Sequence, residues 1–114
     1  MRVIASEGVA LEYANGLVNL SLWQTDKRDI LESVRQGNKL RSKYPQNTEI
    51  QLSYAQTLFN LTLKQESEDL HQTVAQLREF LVENPEANQG FQDALDQYLN
   101  EHPDHMERYV SLRI

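Results

Sequence analysis

Val9-Ala10-Leu11-Glu12-Tyr13-Ala14-Asn15-Gly16-Leu17-Val18-Asn19-Leu20-Ser21-Leu22-Trp23-Gln24 is written a second time, with changes, as Ile50-Gln51-Leu52-Ser53-Tyr54-Ala55-Gln56-Thr57-Leu58-Phe59-Asn60-Leu61-Thr62-Leu63-Lys64-Gln65. Leu, Tyr, Ala, Leu, Asn, Leu, Leu and Gln recur in register at an offset of 41 residues. A period of that size marks a repeat architecture, in which one unit cannot bury its apolar face alone and stacks on the next. The second half of the unit recurs at an offset of 40, with Ile30, Val34, Leu40 and Pro45 over Leu70, Val74, Phe80 and Pro85. A third copy of this half comes at an offset of 18, placing Thr73, Leu77, Phe80, Leu81, Asn84 and Pro85 over Phe91, Leu95, Tyr98, Leu99, His102 and Pro103. The array therefore runs through two complete units to a lone second-half helix and a tail.

Caps and breakers place the helices. Asn47 before Thr48-Glu49-Ile50 and Ser67 before Glu68-Asp69-Leu70 are N-cap residues followed by acids, and Thr25 or Asp26 serves the second helix in the same way. Pro45, Pro85 and Pro103 each come after an apolar periodic run, where proline opposes continuation. The expected helices cover about 7–23, 27–43, 48–64, 68–83 and 89–101, with a short sixth over about 104–112. Apolar residues recur at helical spacing, as in Leu70, Val74, Leu77 and Leu81, and no segment alternates as a strand does. The fold class is all-α, with consecutive helices turned back as hairpins by connectors of about two to five residues. Two hairpins and a fifth helix are expected to stack as a short right-handed α-solenoid. Ala14 and Ala55, and with them Gly16 and Gly37, mark places for close helix approach; glycine inside a helix costs about 1 kcal/mol relative to alanine.

The 114 residues make one domain, with repeat 1 at about 7–45, repeat 2 at about 48–85 and capping helices at about 89–112. Apolar residues make up 39%, enough for a core, and no apolar run reaches the roughly 18 residues of a membrane span. Glu7 and Gly8 interrupt the start of the chain too early for a secretory signal, and the absence of cysteine fits a reducing cytoplasm. A net charge of -6 argues against a nucleic-acid surface, which needs clustered cations. The basic stretch Lys39-Leu40-Arg41-Ser42-Lys43 falls in a last helical turn, where cations meet free carbonyls and the negative end of the dipole.

Tyr-Ala-x-x-Leu in the first helix of each unit, an apolar second helix and a proline just after it, in Tyr44-Pro45 and Asn84-Pro85, resemble the tetratricopeptide-like repeats. The resemblance spans about residues 7–103. The usual unit of that family is about 34 residues, shorter than the 40 or 41 here, so HEAT-like units remain the competing assignment. The resemblance implies binding of a protein or peptide on a concave face lined by the first helices. Ala14 and Ala55 match the family's small packing residue, which puts Asn15, Val18 and Asn19 of unit 1 and Gln56, Phe59 and Asn60 of unit 2 in the groove. Amides can serve a peptide backbone of any sequence, and Val18 and Phe59 offer apolar contact. Family members that capture a C-terminal carboxylate use cations, which these positions lack. Asn19 and Asn60 have a plainer alternative role, hydrogen bonding to the backbone near a helix end.

Other features carry less. Asn19-Leu20-Ser21 and Asn60-Leu61-Thr62 match the glycosylation pattern only because one helical motif is repeated. Trp23, which has Lys64 as its equivalent, is expected to be buried against the N-terminal face of the stack. His102-Pro103-Asp104-His105, between Glu101 and Glu107, has ligand chemistry, but the proline breaks helical i, i+4 spacing, so no metal site is expected. His71 has no nucleophile nearby, the serines lack an elbow context, and there is no phosphate-cradling glycine loop. The chain is accordingly read as a non-enzyme with no cofactor and no nucleic-acid or membrane partner. Its expected role is a cytoplasmic interaction scaffold. The alternative is a structural module of a larger assembly, or a homo-dimer, that self-associates through the apolar tail residues Tyr109, Val110, Leu112 and Ile114.

Overall fold

The computed structural model describes the backbone of residues 2–114 and the side chains of residues 7–114. Six α-helices account for most of the chain, and there is no strand among the described residues. They are α1 (Arg2–Trp23), α2 (Lys27–Lys43), α3 (Thr48–Thr62), α4 (Ser67–Glu83), α5 (Pro85–Glu101) and α6 (Met106–Tyr109), the last flanked by 3-10 turns at Pro103–His105 and Val110–Leu112. No helix among the described residues is long and apolar enough to cross a membrane.

Local chemistry sets the boundaries. Asp26 and Asn47 cap α2 and α3 from extended backbone, their side chains accepting from the N–H of Arg28 (2.9 Å) and of Ile50 (3.0 Å). Gln51 then donates to the carbonyls of Arg41 and Tyr44, both at 3.1 Å, which satisfies the end of α2 from inside α3. Arg41 and Lys43 lie in the last turn of α2, with the Arg41 guanidinium 5.1 Å from the Tyr54 ring centroid and 5.3 Å from that of Phe80.

Three expected boundaries are corrected, the first being that α1 starts at Arg2 rather than near residue 7. Ser67 does not cap α4; Glu66 is the cap residue, with no side-chain bond, and Ser67 opens the helix at φ 56°, in the left-handed region. Helix α5 begins at Pro85 rather than near 89, because proline's fixed φ and missing N–H suit the first helical position. One residue, Asn84, therefore separates α4 from α5, a shorter connector than expected. Tyr44, Asn84 and His102 share nearly one conformation, φ/ψ of -125°/64°, -129°/71° and -133°/66°. Each precedes a proline, whose ring bars the helical conformation at the residue before it.

Helix α3 is the centre of the molecule. It packs on α1 and α2 on one side and on α4 and α5 on the other, and Ile50, Ala55, Leu58, Leu61 and Thr62 along it are buried. The main core joins α3 to α4, α5 and the tail through Tyr54, Leu58, Leu77, Leu81, Phe91 and Leu95. A smaller cluster of Ala10, Ala14 and Ile50, with Leu40 and Tyr44 against it, joins α1 to α2 and α3. Helix α5, expected as a lone second-half helix, packs on the opposite side of α3 from α1 and completes the row α1, α3, α5.

The glycines divide differently from expectation. Gly37 is buried, and a Cβ there would meet Tyr54 Cδ1 at an ordinary 3.5 Å. A Cβ on Gly16 would meet nothing within 4 Å, so no close approach explains it. The tight position is Gly90, where a Cβ would come within 2.9 Å of Leu52 Cδ2.

Trp23 is not buried. It is 83% exposed at the end of α1, where none of the described residues covers it. The tail covers the opposite end within the same chain, where Tyr109 and Leu112 are fully buried. Of the four expected self-association residues, that leaves Val110 and Ile114 on the surface.

Candidate functional site

The row α1, α3, α5 forms an apolar cavity of about 220 Å³ that is open to solvent. From α1 come Val18 and Leu22, four residues apart and hence on one helical face. Helix α3 contributes Gln56, Phe59 and Asn60, and α5 contributes Phe91, Ala94, Leu95 and Tyr98. This volume is below the range of about 300–1,000 Å³ typical of small-molecule sites and suits one or two apolar side chains.

Phe59 forms the floor and is held on three sides. Its ring meets Phe91 edge-on at 5.8 Å and Tyr98 edge-on at 5.2 Å, and lies tilted at 4.8 Å from Tyr109. Tyr98 is fixed in turn by a 2.7 Å hydrogen bond between its hydroxyl and His105 Nδ1, and by stacking on His102 at 4.4 Å. Burial pushes the Tyr98 phenol above its ordinary range, an effect to which Tyr109 adds. The wall is thus preorganised: aromatic faces locked by neighbours lose little freedom when a ligand seats on them.

Of the six groove residues expected from the sequence, Val18, Gln56, Phe59 and Asn60 line this cavity. Asn60 is buried, and its amide donates to the Val18 carbonyl at 3.1 Å and to Ser21 Oγ at 2.9 Å, so it ties α3 to α1. Asn15 lies outside the cavity and accepts from Ser53 Oγ at 2.7 Å, and Asn19 is exposed beside it. The four α5 residues are not among the expected ones. Phe91, Ala94, Leu95 and Tyr98 have the i, i+3, i+4, i+7 spacing of one apolar face, and a small residue among large ones was the available signal.

Elsewhere, a more polar cleft of about 240 Å³ lies between α1 and α2, lined by Tyr13, Leu20, Asp29 and Glu32 among others. A cleft of about 190 Å³ between the connectors includes Thr48 and Glu86, whose side chains already bond each other at 3.0 Å. His102 and His105 stack face to face at 5.5 Å, and among the described residues no group of three potential ligands gathers for a metal. Comparison of the sequence with protein-family models finds no family that matches, and comparisons with curated proteins and with solved structures find no match either.

Proposed function

We propose that this chain is a tetratricopeptide-like interaction module, a short α-solenoid whose row of α1, α3 and α5 takes up an apolar segment of a partner protein. The observation that carries this reading is the cavity of Val18, Leu22, Phe59, Ala94 and Tyr98, open to solvent on a floor of interlocked aromatic rings. An amphipathic helix fits it: apolar anchors would enter the cavity, while Gln56 on its wall provides both a donor and an acceptor for the partner's polar groups. No cation lines the cavity, so a segment recognised by its side chains suits it better than a terminal carboxylate.

A displayed peptide library selected on the protein tests this. Ala94 is exposed on α5, so Ala94→Glu should keep the fold, as far-UV circular dichroism would verify, while placing a charge in the cavity. Enriched peptides should carry apolar residues at i, i+3 or i+4, and i+7, and should bind Ala94→Glu at least about tenfold more weakly, roughly 1.4 kcal/mol. Peptides that bind the variant as tightly as the parent would show that the groove is not the site.

A further inference from the structure

Helix α1 is apolar around most of its circumference. Ala10, Ala14, Leu17 and Ser21 face the core, and Val18 and Leu22 face the groove. A third side carries Val9, Tyr13, Gly16, Leu20 and Trp23, where the four large residues are 65%, 48%, 49% and 83% exposed. Their spacing of 4, 3, 4 and 3 residues is that of a coiled-coil seam. A helix that is hydrophobic all round is ordinarily buried all round.

The internal repeat shows what this side does when it is covered. Val9, Tyr13, Gly16 and Leu20 correspond to Ile50, Tyr54, Thr57 and Leu61, all of them buried. Within α3, those residues lie beneath other helices of the chain. The first unit keeps the same covered-face pattern, yet Val9 and Trp23 are mostly exposed and α2 only flanks Tyr13 and Leu20, through a cleft lined by Asp29, Glu32 and Gln36.

We infer that the seam Val9-Tyr13-Gly16-Leu20-Trp23 pairs antiparallel with the same seam of a second copy of this chain, about a two-fold axis near Gly16. The seam is close to symmetric about that residue: Val9 and Trp23 are equally distant from it, so the bulky Trp23 of one copy falls over the smaller Val9 of the other. Gly16, with open space where a side chain would stand, lets the backbones approach at the axis. Residues 8–24 hold a single charge, Glu12, in a chain that is 25% charged; depletion of charge marks the core of an interface. Three acids stand beside the seam, Glu12 on α1 and Asp29 and Glu32 across the cleft on α2, so salt should strengthen the pairing by screening them. Four residues from the axis at 1.5 Å each, the two Glu12 backbones lie about 12 Å apart along the helices, beyond the Debye length at physiological salt.

Light scattering on the full chain over a concentration series should show the mass rising from 13.3 kDa to twice that value. Leu20→Glu should raise the dimer dissociation constant about a hundredfold or more and keep the helical dichroism, whereas Ala94→Glu in the groove should leave the dimer intact. The chain has no cysteine, so Gly16→Cys gives one thiol near the axis; a short bis-maleimide reagent should join two copies there and not at Ser111→Cys in the tail. A monomer at every concentration would overturn the proposal and leave the seam to a helix of another protein. A dimer unchanged by Leu20→Glu, or linked equally well at position 111, would also overturn it. If Leu20→Glu does not fold, the contrast between positions 16 and 111 decides. Either result leaves the groove reading standing, since no seam residue lines that cavity.

Discussion

Asn60 on α3 donates its amide to Ser21 Oγ on α1 at 2.9 Å, and Ser21 in turn donates to the Val18 carbonyl at 2.8 Å. One buried amide thereby closes a ring of polar contacts between two helices that also meet through the Ser53–Asn15 hydrogen bond and buried alanine and leucine. Replacing it leaves a buried hydroxyl short of a partner, so Asn60→Ala should cost about 1–3 kcal/mol. Asn19→Ala, at the equivalent but exposed position, should fall within about ±0.5 kcal/mol. Urea denaturation of the two variants would check the contrast; equal losses would mean that the ring does not hold the helices together.

The hydroxyl of Tyr109 lies 2.9 Å from Thr62 Oγ1, which itself donates to the Phe59 carbonyl, so Tyr109 is the donor in the pair. Tyr109→Phe should therefore cost about 1 kcal/mol. Tyr109→Ala should cost about 3–5 kcal/mol, because a fully buried aromatic also packs on Phe59. Deleting 109–114 should expose the core end rather than merely release a partner, and a thermal scan would show it as a lowered midpoint.

Burial raises the Tyr109 phenol above its ordinary value of 10.0, against a smaller opposing effect of the Arg108 guanidinium beside its ring. Below that value both folded and unfolded states are protonated, and the contribution to stability is complete. As the pH rises through about 10, the unfolded phenol loses its proton first and stability falls. Tyr109→Phe should have a flatter decline in stability across this range than the parent, measured by denaturant unfolding on either side of it. Equal slopes would contradict the assignment.

Three backbone positions offer stabilising substitutions, by two opposite kinds of logic. Ser67 sits at φ 56°, which costs a side-chain-bearing residue roughly 1–2 kcal/mol, so Ser67→Gly should raise the melting temperature. Gly8 lies inside α1 with nothing within 4 Å of an added Cβ, so Gly8→Ala should gain up to about 1 kcal/mol. Gly90→Ala should gain less than Gly8→Ala, since its Cβ must displace the end of Leu52. Calorimetry on the three variants would order them.

Much of this fold is legible in the sequence because helices advertise their ends. The caps at Asp26 and Asn47 and the pre-proline joints fix where the chain turns, and apolar spacing fixes that it is helical. Position within the row is not legible in the same way. Asn19 and Asn60 are the same letter in the same motif, yet one is exposed and the other buried, because α1 has a neighbour on one side and α3 on both. Trp23 departs from expectation for the same reason: periodicity says which residues share a face and not whether anything covers it. Pro85 is the converse case, where one residue stops a helix and starts the next, and only the first effect enters a reading by breakers. The groove is half visible, since the repeat points to Val18 and Phe59 while α5 lies outside the pairing that reveals them.

The one-residue joint at Asn84 leaves no slack between α4 and α5, so nothing can absorb a change of length there. Each inserted or deleted residue turns the next helix by about 100° about its own axis. A single insertion before Pro85 would swing Phe91 and Leu95 out of the core and carry Ala94 and Tyr98 away from Phe59. The joint therefore acts as an angular setting: by fixing the rotation of α5, it determines which face of that helix closes the groove.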